Sequence, residues 1–142
     1  MRASSILFRH PGLYLEAVES KGVGLFCCDD IGKDSVIEAA PAVIFNDADA
    51  AHIDKTKLYN YYFEAPPLSE DKQRSDGITN SSKAGCMVMG VLSFCNHADT
   101  PNAAVEKTEQ DGQIVFILKA LRAIPAKTEI LISYGRTWFK VV

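Results

Sequence analysis

The segment Phe94-Cys95-Asn96-His97-Ala98-Asp99-Thr100-Pro101-Asn102-Ala103 decides how this chain is read. Two asparagines, a histidine and a proline stand between apolar positions, a mixture too polar for an ordinary core strand. A buried Asn left without partners for its amide costs about 1–3 kcal/mol. Such a segment is therefore expected as a tight, fully hydrogen-bonded loop of the kind that binds a ligand. The simpler alternative is an Asx-type turn with Pro101 fixing the backbone. A second run follows, Ile124-Pro125-Ala126-Lys127-Thr128-Glu129-Ile130-Leu131-Ile132-Ser133-Tyr134-Gly135. It reads as a turn, then an alternating strand, then a Tyr delivered to a Gly.

The rest of the chain supplies a plain globular setting. Its 142 residues suit one domain, large enough to bury about two-thirds of its unfolded surface without staples. A hydrophobic content of 47% and a charged content of 23% are ordinary for a folded protein. The net charge of -3 argues against nucleic-acid binding through a broad basic face and is compatible with a basic partner. Cys27, Cys28, Cys86 and Cys95 make no C-x-x-C pair, so a tetrahedral zinc site is not expected; they read as small apolar residues in a reducing compartment. Between Met1 and His10 the short apolar stretch Ile6-Leu7-Phe8 is cut by Arg9, neither a signal peptide nor a membrane span. The expectation is a soluble, cytoplasmic protein with no membrane association.

Short strands dominate the pattern. Strands are expected at Tyr14–Val18, from Gly22 to Cys28, twice within Ser35–Phe45 with a break near Ala40-Pro41, and over the aromatic stretch Lys57–Glu64. Asp47 is a candidate cap for a short helix ending at Ile53, and Met87–Phe94 a candidate helix. Ala104–Lys107 and Gln113–Ala120 read as a hairpin around Asp111-Gly112, and Ile130–Ser133 as the last strand. From Ala65 to Gly85 the composition turns to Pro, Ser, Asp, Glu, Lys, Gln and Gly, which reads as a flexible surface insert.

A third motif, Lys21-Gly22-Val23-Gly24-Leu25-Phe26, precedes both runs. Two glycines two apart let backbone approach a ligand closely, although alone they describe a plain turn. In this order the three motifs resemble the SET-domain lysine methyltransferase family, over about Tyr14 to Phe139. The resemblance implies a single minimal SET domain spanning 1–142: a mainly β fold of several small sheets with a threaded, pseudoknot-like C-terminal segment. It implies S-adenosylmethionine as cofactor, with S-adenosylhomocysteine as product, held by Lys21, Gly22, Gly24, Asn96, His97 and Tyr134. Tyr134 is the implied catalytic residue, Asn102 the implied structural Asn, and the partner a protein with an accessible, basic lysine-bearing segment. Where the family commonly has Ser-Cys after the His, Asp before the Tyr and Gly-Glu-Glu in the turn, this chain has Ala98-Asp99, Ser133 and Lys127-Thr128-Glu129. These departures bear on substrate and subtype.

The chemistry needed matches these residue types. Methyl transfer from a sulfonium is an in-line displacement by a neutral amine. A free lysine has a pKa near 10.4, so the site must favour its neutral form through burial and the nearby positive sulfonium. A Tyr hydroxyl can orient the amine lone pair, and placement of the reacting atoms supplies much of the rate; neither metal nor covalent intermediate is required. Tyr61, Tyr62, Phe63, Trp138 and Phe139 are candidates for an aromatic substrate channel, with core packing as the alternative for the first three. Tyr62, Trp138 and Phe139 are the substrate-binding candidates; Trp138 and Phe139, or a second subunit in a homodimer, would close the site. Two other readings stay open: a catalytically silent SET-fold binding module, and a methyltransferase acting on a non-lysine or small-molecule acceptor.

Overall fold

In the computed structural model of the chain, residues 7–64 and 85–133 are described. In chain order they form strands β1 (Phe8–Arg9), β2 (Leu13–Val18), β3 (Gly22–Cys27) and β4 (Val36–Phe45), helix α1 (Asp47–Ile53) and a 3-10 helix at Lys57–Tyr61. There follow β5 (Phe63–Glu64), β6 (Gly85–Val88), a second 3-10 helix at Val91–Phe94, and β7 (Asn96–His97). The series ends with β8 (Ala103–Gln110), β9 (Gln113–Ala120) and β10 (Glu129–Ile132). The fold is mainly β in several small sheets, as expected. The larger sheet runs β5-β6-β4-β9-β8 with β1 on β4, and the smaller runs β2-β3-β10-β7.

Local sequence explains the clearest elements. Asp111 and Gly112 take φ values of 54° and 81°, so both turn residues are left-handed, the geometry that matches the twist of a two-residue hairpin. The hairpin they close pairs Gln110 with Gln113 and continues to Ala103 opposite Ala120, longer than the sequence pattern suggests. In β10 the burial alternates, with Ile130 and Ile132 facing inward. Inward residues from both sheets, among them Leu25, Ile37, Phe63, Phe116, Leu118 and Ile130, make one apolar cluster. Phe63 and Phe116 meet with ring centroids 5.0 Å apart. No helix among the described residues is long and apolar enough to cross a membrane.

Four local expectations are corrected. Val36–Phe45 is one strand, not two, because Pro41 sits at a change of partner. Up to Pro41, β4 pairs with β9; from Ala42, with Val88 opposite, it pairs with β6. The missing N–H thus falls at a changeover, while the Pro41 carbonyl accepts from Met89 N at 2.8 Å. The cap of α1 is Asn46, whose side chain accepts from Asp49 N at 2.9 Å, one residue before Asp47. Lys57–Tyr61 is a 3-10 helix because Thr56 accepts from Leu58 N at 3.1 Å and starts a turn ahead of the aromatics. Met87–Phe94 divides into strand and 3-10 helix at Gly90, where a Cβ would lie 2.6 Å from Ala40 Cβ and 2.7 Å from Glu38 Oε2. The expected insert, apart from Gly85, and residues 134–142 with the expected threaded segment lie outside the described residues.

Glu38 connects this framework to the loop read first. It is 1% exposed, the one polar or charged residue among the buried described residues. Its carboxylate accepts from Val91 N at 3.1 Å, Leu92 N at 2.7 Å and Arg9 Nε at 3.1 Å. A buried carboxylate satisfied by charge-assisted bonds fixes the start of the 3-10 helix that leads into Asn96.

Candidate active site

The Asn96 segment is not a free loop. Asn96 and His97 form β7, which pairs in parallel with β10, Asn96 opposite Leu131 and His97 opposite Ile132. The chain leaves the pair with Ala98 N donating to Ile132 O at 2.9 Å and returns at Asn102, whose N donates to Leu131 O at 3.1 Å. Asn102 then clamps β10 with its side chain: Nδ2 donates to Glu129 O at 2.9 Å and Oδ1 accepts from Leu131 N at 2.8 Å. One amide thus satisfies both a donor and an acceptor of the β10 backbone, the structural part expected of it.

On the other flank, β10 pairs antiparallel with β3, Glu129 opposite Phe26 and Ile130 opposite Leu25. Asn96 reaches across: its Nδ2 donates to Glu129 Oε2 at 2.7 Å and to Val23 O at 3.2 Å. The Glu129 carboxylate lies directly over Gly24, so that a Cβ there would collide with its Oε2 and lie 2.9 Å from Val18 Cγ2. Gly24 is required by this close approach. Gly22 is required for another reason: its φ is 80°, and nothing lies within 4 Å of where a Cβ would stand. Backbone at Gly22 is open to a ligand, and Lys21 occupies the preceding turn with its N donating to Val18 O at 3.0 Å.

Of the residues singled out in the sequence, Gly24 and Asn96 are therefore brought together, with Gly22 and His97 next to them along the same strands and Lys21 in the turn before β3. His97 is exposed, with Nε2 3.1 Å from Asp99 Oδ1. Tyr62 goes elsewhere. Its ring is 2% exposed and meets Phe45 edge-on at 4.9 Å, and its hydroxyl donates to Asp54 at 2.6 Å, all within a small satellite core under α1. The aromatic that approaches the Asn96 segment is its neighbour Tyr61, whose ring lies 5.5 Å from Phe94. Tyr134, Trp138 and Phe139 lie outside the described residues.

Sequence reading missed the central part played by Glu129. It stood in the second run as part of the turn, yet its carboxylate joins Asn96 to Gly24. The available signal was a single acidic residue opening an otherwise apolar strand. Cys95, adjacent to Asn96, is buried, and its thiol is pushed up far beyond the ordinary cysteine range by burial, with the Glu38 and Glu129 carboxylates adding to the shift. Cys95 therefore stays a neutral, buried thiol.

Comparison with known proteins places this arrangement. A model of the SET domain matches residues 22–135. The chain is 27% identical over 129 residues to the histone-lysine N-methyltransferase, H3 lysine-37 specific, of Schizosaccharomyces pombe, covering 90% of this chain and 77% of that protein. Among solved structures it is similar to a Plasmodium falciparum protein ascribed to the histone methyltransferases, at a TM-score of 0.65 and 27% identity, covering 92% of this chain and 99% of the other. The Neurospora SET domain protein DIM-5, a histone lysine methyltransferase, superposes at a TM-score of 0.64 and 18% identity over 92% of this chain and 54% of its own, a likeness of fold alone. With the family match extending from the glycine turn through the Asn96 segment to Tyr134-Gly135, the chain belongs to the SET-domain family.

Proposed function

We propose that this protein transfers a methyl group from S-adenosylmethionine to the side-chain amine of a lysine in a protein substrate. The observation that carries this is the junction of Gly24, Glu129 and Asn96, which ties the open glycine turn to the Asn96-His97 strand. The residues present fit such a cofactor. Gly22 leaves backbone accessible, and the Glu129 carboxylate and Val23 carbonyl give the locality acceptor character suited to a cationic amino-acid ligand. Lys21, Gly22, Gly24, Asn96 and His97 would hold it, and the bound cofactor would supply an electrophilic methyl group.

Within this reading Tyr134 orients the acceptor amine, and Trp138 and Phe139 flank the substrate. Tyr61, half-buried against Phe94, is better placed than Tyr62 to line the approach to Asn96. Cysteines held as thiols suit the reducing cytoplasm as the setting. The acceptor to try first is histone H3, since the Schizosaccharomyces pombe relative is named for an H3 lysine.

The test is incubation of the purified chain with labelled S-adenosylmethionine and either histone H3 or whole lysate, followed by mass spectrometry of the labelled band. Label on a lysine Nζ supports the proposal. Label on another side chain or on a small molecule would move the acceptor to a different class. Cofactor binding without any label, across H3 and lysate, would favour a binding module.

A further inference from the structure

At the far end of β3 from the glycine turn, residues distant in sequence converge in a way that no spacing motif announces. His10, Cys27 and Asp29 each place one ligand atom within 4.8 Å of the others. We propose that these three residues form a binding site for a zinc-class divalent cation, separate from the methyl-transfer site.

The distances suit this. His10 Nδ1 and Cys27 Sγ are 3.5 Å apart. A zinc ion bonded to nitrogen at about 2.05 Å and to sulfur at about 2.3 Å, at a tetrahedral angle, spans an N···S edge of about 3.5 Å. Gly12 provides the room. A Cβ on Gly12 would stand 2.8 Å from Asp29 Oδ2, 3.0 Å from Cys28 Sγ and 3.1 Å from Cys27 Sγ, so three potential ligand atoms face space that only glycine leaves free. One imidazole, one thiolate and one carboxylate make a three-ligand set whose fourth position goes to water. A soft sulfur with an imidazole selects zinc-like ions over magnesium or calcium, which take oxygen ligands.

The frame around the cluster is already fixed. Cys28 N donates to Gly12 O at 2.9 Å, Lys127 N to Cys27 O at 2.8 Å, and His10 N to Ile37 O at 3.0 Å. His10 Nδ1 itself accepts from Gly12 N at 3.0 Å. Binding would transfer that lone pair to the metal and release the Cys27 proton to solvent. Burial pushes the Cys27 thiol up, so the exchange should be harder at lower pH. The cluster lies three residues beyond Gly24 on β3, roughly 10 Å away at about 3.3 Å per residue. Bound metal would staple the turn before β2 to the end of the strand whose start lines the candidate active site.

The experiment uses the full chain, stripped with chelator and titrated with Co²⁺. The expected result is a thiolate-to-cobalt charge-transfer band with visible d–d bands, both displaced by Zn²⁺. Cys27→Ser should abolish the charge-transfer band, and His10→Ala and Asp29→Asn should each weaken affinity by at least the roughly 10-fold that even outer-shell partners contribute. At the same concentration, Zn²⁺ should raise the melting temperature of wild type more than that of Asp29→Asn, an exposed, near-isosteric change that leaves the fold intact by circular dichroism. A wild-type titration without charge transfer would overturn the proposal. So would a band that survives Cys27→Ser and vanishes in Cys28→Ser, which would make the exposed thiol an adventitious binder.

Discussion

The side-chain nitrogen of Asn96 donates to the Glu129 carboxylate at 2.7 Å, joining positions 33 residues apart in the chain. With its second bond, to Val23 O at 3.2 Å, the same amide connects β7, β10 and β3. The three motifs thus meet through one residue and one counterpart. Replacing Glu129 by Ala should leave the Asn96 amide without its charged acceptor. A hydrogen bond to a charged group is worth about 1.5–3 kcal/mol, so cofactor affinity should fall about 10-fold or more while the circular dichroism spectrum is retained. Isothermal titration of S-adenosylhomocysteine measures this directly, and unchanged affinity would reduce Glu129 to a surface charge.

The two glycines of the turn should respond differently. Gly24→Ala places a methyl group against the Glu129 carboxylate and Val18 Cγ2, so Glu129 must swing away. Binding and methylation should drop together, as in Glu129→Ala, and the double variant should be scarcely worse than either single one. Gly22→Ala meets no neighbour, but it forces a left-handed φ of 80° on a residue with a Cβ, a strain of about 1 kcal/mol. Its signature is a small drop in melting temperature with the Asn96–Glu129 junction intact, and any loss of binding comes from the methyl group in the space left to the ligand. A Gly24→Ala protein that bound as well as wild type would show that displacing the carboxylate is without consequence.

Asn102 should report on stability rather than on binding alone. Asn102→Ala removes the partner of Glu129 O and of Leu131 N at once. Two poorly solvated backbone groups left unpaired cost about 1–3 kcal/mol each. Thermal denaturation should shift down by roughly 10 °C, and hydrogen exchange should speed up in β10 before the β8–β9 hairpin. Asn102→Asp restores the acceptor for Leu131 N but not the donor to Glu129 O, and should fall between the two.

How much of this was legible follows from where the chemistry lies in sequence. The Asp111-Gly112 hairpin and the strands β2, β3 and β10 are written in local turn residues and alternation, and they were readable. The Asn96 and Asn102 segments announced unusual hydrogen bonding, because amides at such positions demand partners. The partners themselves, Val23 O, Glu129 and Leu131 N, lie between 27 and 73 positions away and are fixed only by strand pairing. Local rules failed where the backbone overrode them. Pro41 suggested a break but sits at a change of strand partner, and Tyr62, an attractive aromatic, is drawn into a satellite core by Phe45 and Asp54. The His10, Cys27 and Asp29 cluster was invisible because metal-site reading looks for close cysteine spacing, and here a turn supplies the proximity.

The buried Cys95 thiol predicts a specific alkaline weakness. In the unfolded chain a thiol ionises near pH 8.5, whereas the folded protein holds this one protonated well above that. Below about pH 8.5 both states keep the proton and its contribution is fully present. Above it the unfolded state loses the proton first, so stability falls by up to about 1.4 kcal/mol per pH unit until the folded thiol also ionises. Urea titrations from pH 7 to 10 should therefore show a shallower decline for Cys95→Ala than for wild type, even though the variant starts lower from the small cavity. Parallel curves would assign the alkaline loss to other groups.

The last prediction concerns Tyr134, in the match to the family but beyond the described residues. In the proposed reaction its hydroxyl orients a neutral lysine amine. The Tyr62 hydroxyl, committed to Asp54 in the satellite core, does not compete for that part. Tyr134→Phe removes one oxygen and keeps the ring, so folding and cofactor affinity should change little. The methylation rate should fall by about 10²–10³, the usual worth of a preorganised polar group at a reacting centre. Wild-type activity should climb with pH into the alkaline range, because a lysine with a pKa near 10.4 must lose its proton before attack. The climb should be read at initial rate and below about pH 9, before the Cys95 penalty on stability grows large. A Tyr134→Phe protein with full rate would leave Tyr134 a packing residue. A wild-type rate flat over that range would place the limiting step after deprotonation, in product release or cofactor exchange.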